Sequence, residues 1–298
     1  MKLRIGTRGS ALALWQAQHT QAELQKIDVA SELVIISTKG DQIQHLGFDK
    51  MEGKGFFTKE IEEALLLGEV HVAVHSMKDL STQQPEGLVV AAVSYREDPS
   101  DRLLVRPEAY DPSQPFRLCT GAVVGTSAAR RKAQILDFRP DVRVKDLRGN
   151  VPTRVDKLRA GDYDAIFLAG AGLERLQLDV SDLQVLHLQP REFVPAPAQG
   201  VLAWQTHRDD MATRRLFSRL HHPLVAACTN VERSLLRLLD GGCQLPLGAF
   251  CERDANGHYH AWAACVVDNQ MRRARVSQTT HEGMAERLLA QLDNPGTI

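Results

Sequence analysis

Through its first 190 residues, the chain alternates short apolar runs with segments of helical periodicity. The apolar runs predict strands at residues 3–5, 33–37, 71–74, 122–124 and 165–168. The periodic segments predict helices over residues 11–26, 58–67, 128–138 and 151–159, and Ser10 is placed to cap the first of them. This alternation predicts an α/β fold with largely parallel sheets.

A weak internal repeat divides this part of the chain in two. Residues 5–11 resemble residues 124–129, and residues 67–74 resemble residues 160–167, in the same order. We interpret the repeat as two α/β domains of similar architecture that face each other across a cleft. The pattern changes after residue 220, where a helix, two strand-like stretches and a terminal helix predict a small α+β domain. The predicted domains are residues 1–97 plus 195–216, residues 98–194 and residues 217–298.

Composition excludes several classes of protein. No apolar run approaches the roughly 18 residues that span a bilayer, so no membrane partner is expected. The start of the chain turns polar too early for a signal peptide, which favours a cytoplasmic location. The five cysteines show neither a disulfide framework nor zinc-ligand spacing, so no metal is expected. The net charge of −1 and the aromatic content of 5% disfavour a nucleic-acid partner.

Basic and small polar residues follow the predicted strands. In open α/β sheets, ligands bind beyond the carboxyl ends of the strands, and the helix starts found there attract anions. The residues at these ends include Arg8, Ser10, Ser76, Lys78, Thr126, Ser127, Arg130, Arg131, Arg148 and Arg154. Such a cleft suits a ligand with several negative groups, and carboxylates, phosphates and nucleic acid all remain open at this point.

Two further residues could carry chemistry. Asp79 is the acid inside a basic strand-end motif, where a carboxylate can stabilise a developing cation or move a proton, or can simply neutralise Lys78. Cys243 follows two glycines and precedes a proline, on a tight turn where a thiol could be reactive. His71 and His75 have i,i+4 spacing, but on a strand-like run they are not a metal pair.

Seven motifs are specific enough to identify a family. They are Thr7-Arg8-x-Ser10, Gly53-Lys54-Gly55-x-Phe57, His75-Ser76-Met77-Lys78-Asp79, Arg96-Glu97-Asp98-Pro99-x-Asp101, Gly125-Thr126-Ser127-x-x-Arg130-Arg131, Leu147-Arg148-Gly149-Asn150-Val151-x-Thr153-Arg154 and Gly241-Gly242-Cys243-Gln244-x-Pro246. Together, and in this order, they resemble the porphobilinogen deaminase (hydroxymethylbilane synthase) family.

The resemblance implies a transferase of tetrapyrrole and heme biosynthesis. In that family, a dipyrromethane cofactor bound to the equivalent of Cys243 primes the addition of four porphobilinogen units with loss of ammonia. Hydrolysis then releases a linear tetrapyrrole. The resemblance also implies a cytoplasmic monomer with three domains, the first two similar to periplasmic binding proteins.

The resemblance assigns roles residue by residue. Asp79 is implied as the catalytic residue, which stabilises the cationic azafulvene left by loss of ammonia. The implied cofactor-binding residues are Cys243 (covalent), Ser10, Ser76, Lys78, Thr126, Ser127, Arg130, Arg131, Arg148 and Gly149. The implied substrate-binding residues are Arg8, Arg154, Arg175, Lys50, Lys54, Phe57 and Gln199.

Two departures from the family pattern stand out. Ala128 replaces the serine that usually follows Gly-Thr-Ser, and Pro197-Ala198 interrupts the Pro-Ala-x-Gly-Gln-Gly hinge at its middle glycine. The alternatives are a catalytically silent two-lobed solute-binding protein and a nucleic-acid-binding module. The early polar residues and Cys243 disfavour the first, and the charge and aromatic content disfavour the second.

Overall fold

A computed structural model describes residues 2–38, 58–240 and 245–294. In chain order, its strands are β1 (Leu3–Thr7), β2 (Ser31–Ile35), β3 (Val72–Ser76), β4 (Leu88–Arg96), β5 (Asp101–Val105), β6 (Val123–Gly125), β7 (Arg143–Lys145), β8 (Ala165–Ala169), β9 (Gln184–His187), β10 (Val201–His207), β11 (Leu247–Arg253), β12 (Tyr259–Val267) and β13 (Gln270–Gln278). Its α-helices are α1 (Ala11–Gln25), α2 (Lys59–Leu66), α3 (Ala129–Phe138), α4 (Val151–Arg159), α5 (Gly170–Leu176), α6 (Met211–Ser218), α7 (Pro223–Leu238) and α8 (Met284–Asp293).

The chain forms two compact units. The first comprises Met1–Glu97 and Val201–Ala226, and the second comprises Asp98–Gly200 and Ala227–Ile298. The three predicted domains, with their boundaries and the cleft between them, stay a prediction. Among the described residues, no helix combines the length and the apolar character that crossing a membrane requires.

The first unit is built on a five-stranded sheet in the order β2-β1-β3-β10-β4. Successive side chains of a strand point to opposite faces. Val72 and Val74 of β3 therefore pack on the face that α1 covers, in one cluster with Leu24 of that helix. Ala73 lies on the other face, in a cluster with Ile61 of α2. Both helices begin at the carboxyl edge of the sheet, where the polar motifs were predicted.

The second unit repeats this arrangement in the order β7-β6-β8-β5-β9. β6 pairs in parallel with β7 and β8, as β1 does with β2 and β3. The strands that show the sequence repeat thus hold equivalent positions in the two sheets. Gly125 ends β6 where a Cβ atom would lie 2.7 Å from Cδ1 of Tyr163, so the close packing requires glycine there.

The prediction of largely parallel sheets is wrong for one strand of each sheet. β10 is antiparallel to both β3 and β4, and β5 is antiparallel to both β8 and β9. Hydrophobic periodicity identifies a strand but carries no information about its direction. β10 also reaches its sheet from more than 100 residues along the chain, so its pairing is not local.

The C-terminal part of the second unit is a three-stranded antiparallel sheet, β11-β12-β13, with two helices packed on it. Leu235 of α7 and Leu288 of α8 are fully buried against Ala261 and Ala263 of β12. This is the small α+β element expected at the end of the chain. The predicted fold class, two α/β sheets followed by a small α+β part, is therefore confirmed.

Candidate functional site

The carboxyl ends of β1 and β3 meet in the first unit. Arg8 follows β1 and is half-buried. Ser10 is the N-cap of α1, and its hydroxyl accepts a hydrogen bond from the backbone N–H of Ala13 at 3.4 Å, as predicted for this cap. At the end of β3, the hydroxyl of Ser76 accepts a hydrogen bond of 2.8 Å from Nε2 of Gln16 on α1. The two strand ends are thus joined to one helix.

These strand ends line a cavity of about 110 Å³. Its lining residues are Arg8, Ser10, Leu12, Ala13, Gln16, Thr58, Ile61, Val74, His75, Ser76 and Asp79. Four residues predicted for the site therefore lie around one space, and it holds a cationic and an anionic side chain. Lys78, also predicted for the site, is half-buried in the short 3-10 turn Met77–Asp79.

Asp79, the acid inside the basic strand-end motif, is open to solvent. Its side chain is exposed at the edge of the cavity that it lines. The physical reason is its position as the last residue of the 3-10 turn, which leaves the edge of the sheet. Solvent therefore reaches this carboxylate.

A buried polar chain behind the cavity was missed by sequence reasoning. Nε2 of His75 lies 3.0 Å from Oε1 of Gln205, a residue of β10 with no exposed surface. Nε2 of Gln205 donates hydrogen bonds to Oε1 of Glu62 and Oε1 of Gln84. The local sequence offers one hint of this chain, a glutamine in the middle of a strand-like run. Because the partners of Gln205 lie 121 to 143 residues away along the sequence, no local pattern connects them.

In the second unit, Thr126 and Ser127 follow β6. The hydroxyl of Ser127 donates to the carbonyl of Leu147 at 3.0 Å and accepts from its N–H at 3.1 Å. The hydroxyl of Thr126 accepts a hydrogen bond from the N–H of Ala128 at 3.2 Å. Ser127 therefore fixes the loop that contains the next predicted residues, Arg148 and Gly149.

That loop leads into α4. Gly149 has φ +114°, a conformation that a side chain would strain, and a Cβ there would lie 2.8 Å from Cγ2 of Thr153. Asn150 caps the helix by accepting a hydrogen bond from the N–H of Thr153. Nε of Arg154 donates to the carbonyl of Gly149 at 2.7 Å. Arg148 and Arg154 are both half-buried, so the loop geometry brings two cations to this strand end.

Arg130 and Arg131 are engaged by an acid that was not predicted for the site. Asp101, at the start of β5, has no exposed surface. Arg130 donates to its Oδ2 at 2.7 Å and Arg131 donates to its Oδ1 at 2.8 Å. Burial alone would raise the pKa of Asp101, but the charges and hydrogen bonds of the two arginines hold it well below its usual range. Two cations and one anion leave this buried group with a net charge of +1.

Of the remaining predicted residues of the second unit, Gln199 contacts the same acid and Arg175 contacts the neighbouring Gly200. Nε2 of Gln199 donates to Oδ1 of Asp101 at 2.9 Å and to the carbonyl of Pro99 at 2.8 Å. Arg175 of α5 is buried, and its Nη2 donates to the carbonyl of Gly200 at 2.9 Å. Asp101 belongs to the motif Arg96-Glu97-Asp98-Pro99-x-Asp101, but nothing in the local sequence indicates that its carboxylate is the centre of the cluster.

Four predicted site residues fall outside the described part of the chain. They are Lys50, Lys54, Phe57 and Cys243. Their roles stay predictions.

Comparison with known proteins identifies the family. The family model "Porphobilinogen deaminase, dipyromethane cofactor binding domain" matches residues 3–215, and "Porphobilinogen deaminase, C-terminal domain" matches residues 226–292. Porphobilinogen deaminase of Chloroherpeton thalassium is 43% identical over 260 residues, covering 87% of this chain and 81% of the relative. The enzyme of the same name from Trichlorobacter lovleyi is 41% identical over 298 residues, covering 97% and 93%.

A weaker similarity links the chain to a solved structure. A probable amino-acid ABC transporter extracellular-binding protein of Bacillus subtilis is 13% identical, with a TM-score of 0.47 over 79% of this chain and 96% of that one. The conclusion rests instead on the two family models, which together match most of the chain, and on relatives that are more than 40% identical. The chain belongs to the porphobilinogen deaminase family.

Proposed function

We propose that this protein is a hydroxymethylbilane synthase. It joins four porphobilinogen molecules head to tail, releases ammonia at each addition, and finally releases the linear tetrapyrrole by hydrolysis. The observation that carries the proposal is the cavity of the first unit, which is lined by both Arg8 and Asp79. A substrate that carries carboxylates and becomes cationic as it reacts needs both kinds of group.

The arginines suit the carboxylates of the growing chain. Each pyrrole unit carries an acetate and a propionate, and a guanidinium group binds a carboxylate with two parallel hydrogen bonds. Arg8 offers such a guanidinium group at the first cavity. In the second unit, Arg148 and Arg154 flank the Gly149 turn, and the net positive group around Asp101 adds attraction for anions.

Asp79 suits the chemical step. Loss of ammonia from porphobilinogen leaves a cationic azafulvene, and a carboxylate fixed beside a developing cation lowers the barrier to forming it. The same group can take up the proton that is lost when two pyrroles are coupled. Because Asp79 stands at the open side of the cavity, an entering substrate would displace water from it and strengthen the interaction.

The donors of the described residues fit the dipyrromethane primer of the family. The primer carries four carboxylates, two on each ring, and the residues proposed to hold it offer hydroxyl, ammonium, guanidinium and backbone N–H donors. They are Ser10, Ser76, Lys78, Thr126, Ser127, Arg130, Arg131, Arg148 and Gly149. When bound through Cys243, the primer supplies the pyrrole carbon to which the first unit is joined. The incoming substrate would contact a second set of residues, Arg154, Arg175, Gln199, Lys50, Lys54 and Phe57.

Intact mass spectrometry tests the anchor. We expect the purified protein to exceed the mass of its polypeptide by two linked pyrrole units, and we expect Cys243→Ser to abolish the excess. Cys119→Ser is the matched control, because Cys119 is a free and partly exposed cysteine of the described residues, and it should keep the added mass. An active protein with the unmodified mass would refute the anchor.

Turnover of an Asp79 variant tests the catalytic role. We expect Asp79→Ala to fold normally but to lose roughly 10²- to 10⁴-fold in turnover, the range that a positioned acid–base group contributes. Asp209→Ala, which removes a highly exposed acid of the same unit, should leave turnover unchanged. Normal porphobilinogen consumption by Asp79→Ala would show that the carboxylate has no part in the reaction.

We further propose that the enzyme works as a cytoplasmic monomer that binds porphobilinogen and binds neither nucleic acid nor a membrane. The net charge of −1 supports the absence of a nucleic-acid partner. Light scattering during gel filtration should give the mass of one chain, 33.1 kDa plus the primer. Twice that mass at micromolar concentration would contradict the monomer.

A further inference from the structure

The hydrogen bonds behind the first cavity form a series in which the donor and the acceptor of each bond can be assigned. They start at the backbone carbonyl of Ser81, which accepts a hydrogen bond of 2.7 Å from Nε2 of Gln84. A carbonyl can only accept, so this contact fixes which end of the Gln84 amide is the NH₂ group. Oε1 of Gln84 is therefore an acceptor, and Nε2 of Gln205 donates to it at 2.8 Å.

The donor and acceptor atoms of Gln205 in turn determine which ring nitrogen of His75 carries the hydrogen. Its NH₂ group also donates to Oε1 of Glu62 at 3.0 Å, so both amide hydrogens are used. Its own Oε1, 3.0 Å from Nε2 of His75, can then only accept. The hydrogen on the His75 ring consequently lies on Nε2. Gln205 has no exposed surface, so water offers no alternative arrangement.

This arrangement leaves a hydrogen-bond acceptor on the other ring nitrogen. Burial lowers the pKa of His75 to about 4, against a smaller opposing effect of the hydrogen bond to Gln205, so the ring is neutral near pH 7. In a neutral ring with hydrogen on Nε2, Nδ1 carries a lone pair and no hydrogen. Nδ1 can therefore accept a hydrogen bond but cannot donate one.

His75 is also placed at the reaction cavity. By the alternation of β3, His75 lies on the same face of the sheet as Ala73, the face covered by α2. Thr58 and Ile61, from the start of that helix, line the cavity together with His75, and Asp79 lines it four residues further along the chain. The histidine and the proposed catalytic carboxylate thus border one space.

We propose that Nδ1 of His75 is a second hydrogen-bond acceptor for the N–H groups of porphobilinogen, beside Asp79. The substrate carries a pyrrole N–H and a protonated aminomethyl group, whose N–H bonds point in different directions, and a carboxylate in one fixed position cannot lie in line with every one of them. A neutral nitrogen accepts without adding a negative charge that would repel the substrate's own carboxylates. The inference rests on the proposed role of this cavity, and it assigns Gln205, Gln84 and Glu62 as positioning residues that fix the histidine tautomer.

Nitrogen NMR tests the tautomer directly and without turnover. In the ¹⁵N-histidine-labelled holoenzyme at pH 7, the resonance that disappears in His75→Gln belongs to His75. We expect it to show the pattern of a neutral ring with hydrogen on Nε2. A ring with hydrogen on Nδ1, or a charged ring, would overturn the proposal. If His75→Gln does not fold, His75→Asn provides the assignment.

Two substitutions separate substrate contact from structural support. His75→Asn keeps an amide oxygen near the position of Nδ1 but loses the contact with Gln205. His75→Gln keeps a donor for Gln205 but loses the acceptor at Nδ1. We expect kcat/KM for porphobilinogen to fall roughly 10- to 100-fold in His75→Gln, the loss expected for one hydrogen bond to a charged group, and to fall less in His75→Asn.

A purely structural histidine predicts the reverse order, because His75→Asn leaves a buried amide without its partner. That order, at matched folded fractions, would refute the proposal. His71→Gln is the matched control, since His71 lies just before β3 and accepts a hydrogen bond from the backbone N–H of Arg4; its kcat/KM should stay at the wild-type value. The Asp79→Ala variant is measured in the same assay. If Asp79→Ala turns over porphobilinogen normally, the proposed site itself is wrong. If Asp79→Ala is inactive and His75→Gln is fully active, only the role of His75 is refuted.

Discussion

At the scale of single residues, Ala198 is a strained position of the backbone. It has φ +61° and no exposed surface, and it stands where the family motif has a glycine. Its N–H donates to Oε2 of Glu232 at 2.6 Å, and Oε1 of Glu232 accepts from the N–H of Cys251 at 2.7 Å. Glu232 is itself buried, so the carboxylate holds the left-handed residue in place through bonds that water cannot replace.

Ala198→Gly should therefore stabilise the protein. A left-handed conformation costs an alanine about 1–2 kcal/mol, and glycine avoids this while losing about 0.5–1 kcal/mol of chain entropy. We expect the free energy of unfolding, measured in urea, to rise by about 0.5–1 kcal/mol. Ala196→Gly is the matched control: two residues away and without positive φ, it should lower the stability instead. Equal effects of both substitutions would mean that φ at Ala198 stores no strain.

At the scale of elements, the helices α3 and α4 differ at the N-cap, the residue that precedes the first helical residue. Asn150 caps α4 with its side-chain oxygen. Ala128 holds the corresponding position before α3, with φ −80° and ψ 117°, the extended backbone that a cap requires. Alanine offers no side-chain acceptor, so the geometry of a cap is present without its hydrogen bond. The family serine that Ala128 replaces would supply it.

Ala128→Ser should restore the cap. We expect the free energy of unfolding to rise by about 1 kcal/mol, the usual difference between serine and alanine at this position. Asn150→Ala makes the opposite change at α4 and should lower the stability by a similar amount. Urea unfolding of both variants checks the pair. A loss of stability in Ala128→Ser would show that the hydroxyl cannot reach the backbone N–H groups of the first turn.

At the scale of the whole molecule, local sequence determines the repeated parts of the fold and long-range contacts determine the rest. The repeat around Gly6 and Gly125 correctly indicated two similar sheets, because each glycine belongs to a local strand–turn–helix unit. The reversed strands β5 and β10 were not predicted, since their places depend on partners distant in sequence. The site divides in the same way. Local motifs led to Arg8 and Asp79, whereas Asp101 became visible only from its pairs with Arg130 and Arg131.

Among the described residues, the buried groups His75 and Asp101 both make stability depend on pH, and both act in the same direction. The folded state lowers the pKa of His75 from 6.5 to about 4, so between these values the unfolded chain binds a proton that the folded chain does not. Stability therefore falls as pH decreases through this window. The folded state also holds the pKa of Asp101 below its usual range. The stability that Asp101 contributes is fully present when the pH is above the pKa of this carboxyl in the unfolded chain, and it is lost as pH falls below about 4.

We therefore expect acid to destabilise the protein in two stages. The first, from about pH 6.5 to 4, has a magnitude of roughly 3 kcal/mol for His75, because each pKa unit corresponds to about 1.4 kcal/mol. The second begins below about pH 4, as Asp101 takes up a proton and leaves Arg130 and Arg131 without their counter-charge. Urea unfolding at a series of pH values measures both. His75→Gln should reduce the first stage and keep the second, because glutamine does not titrate and Asp101 lies in the other unit. The remainder of the first stage comes from His71 and His221, whose pKa values burial also lowers. A first stage of unchanged size in His75→Gln would assign that proton to a different group.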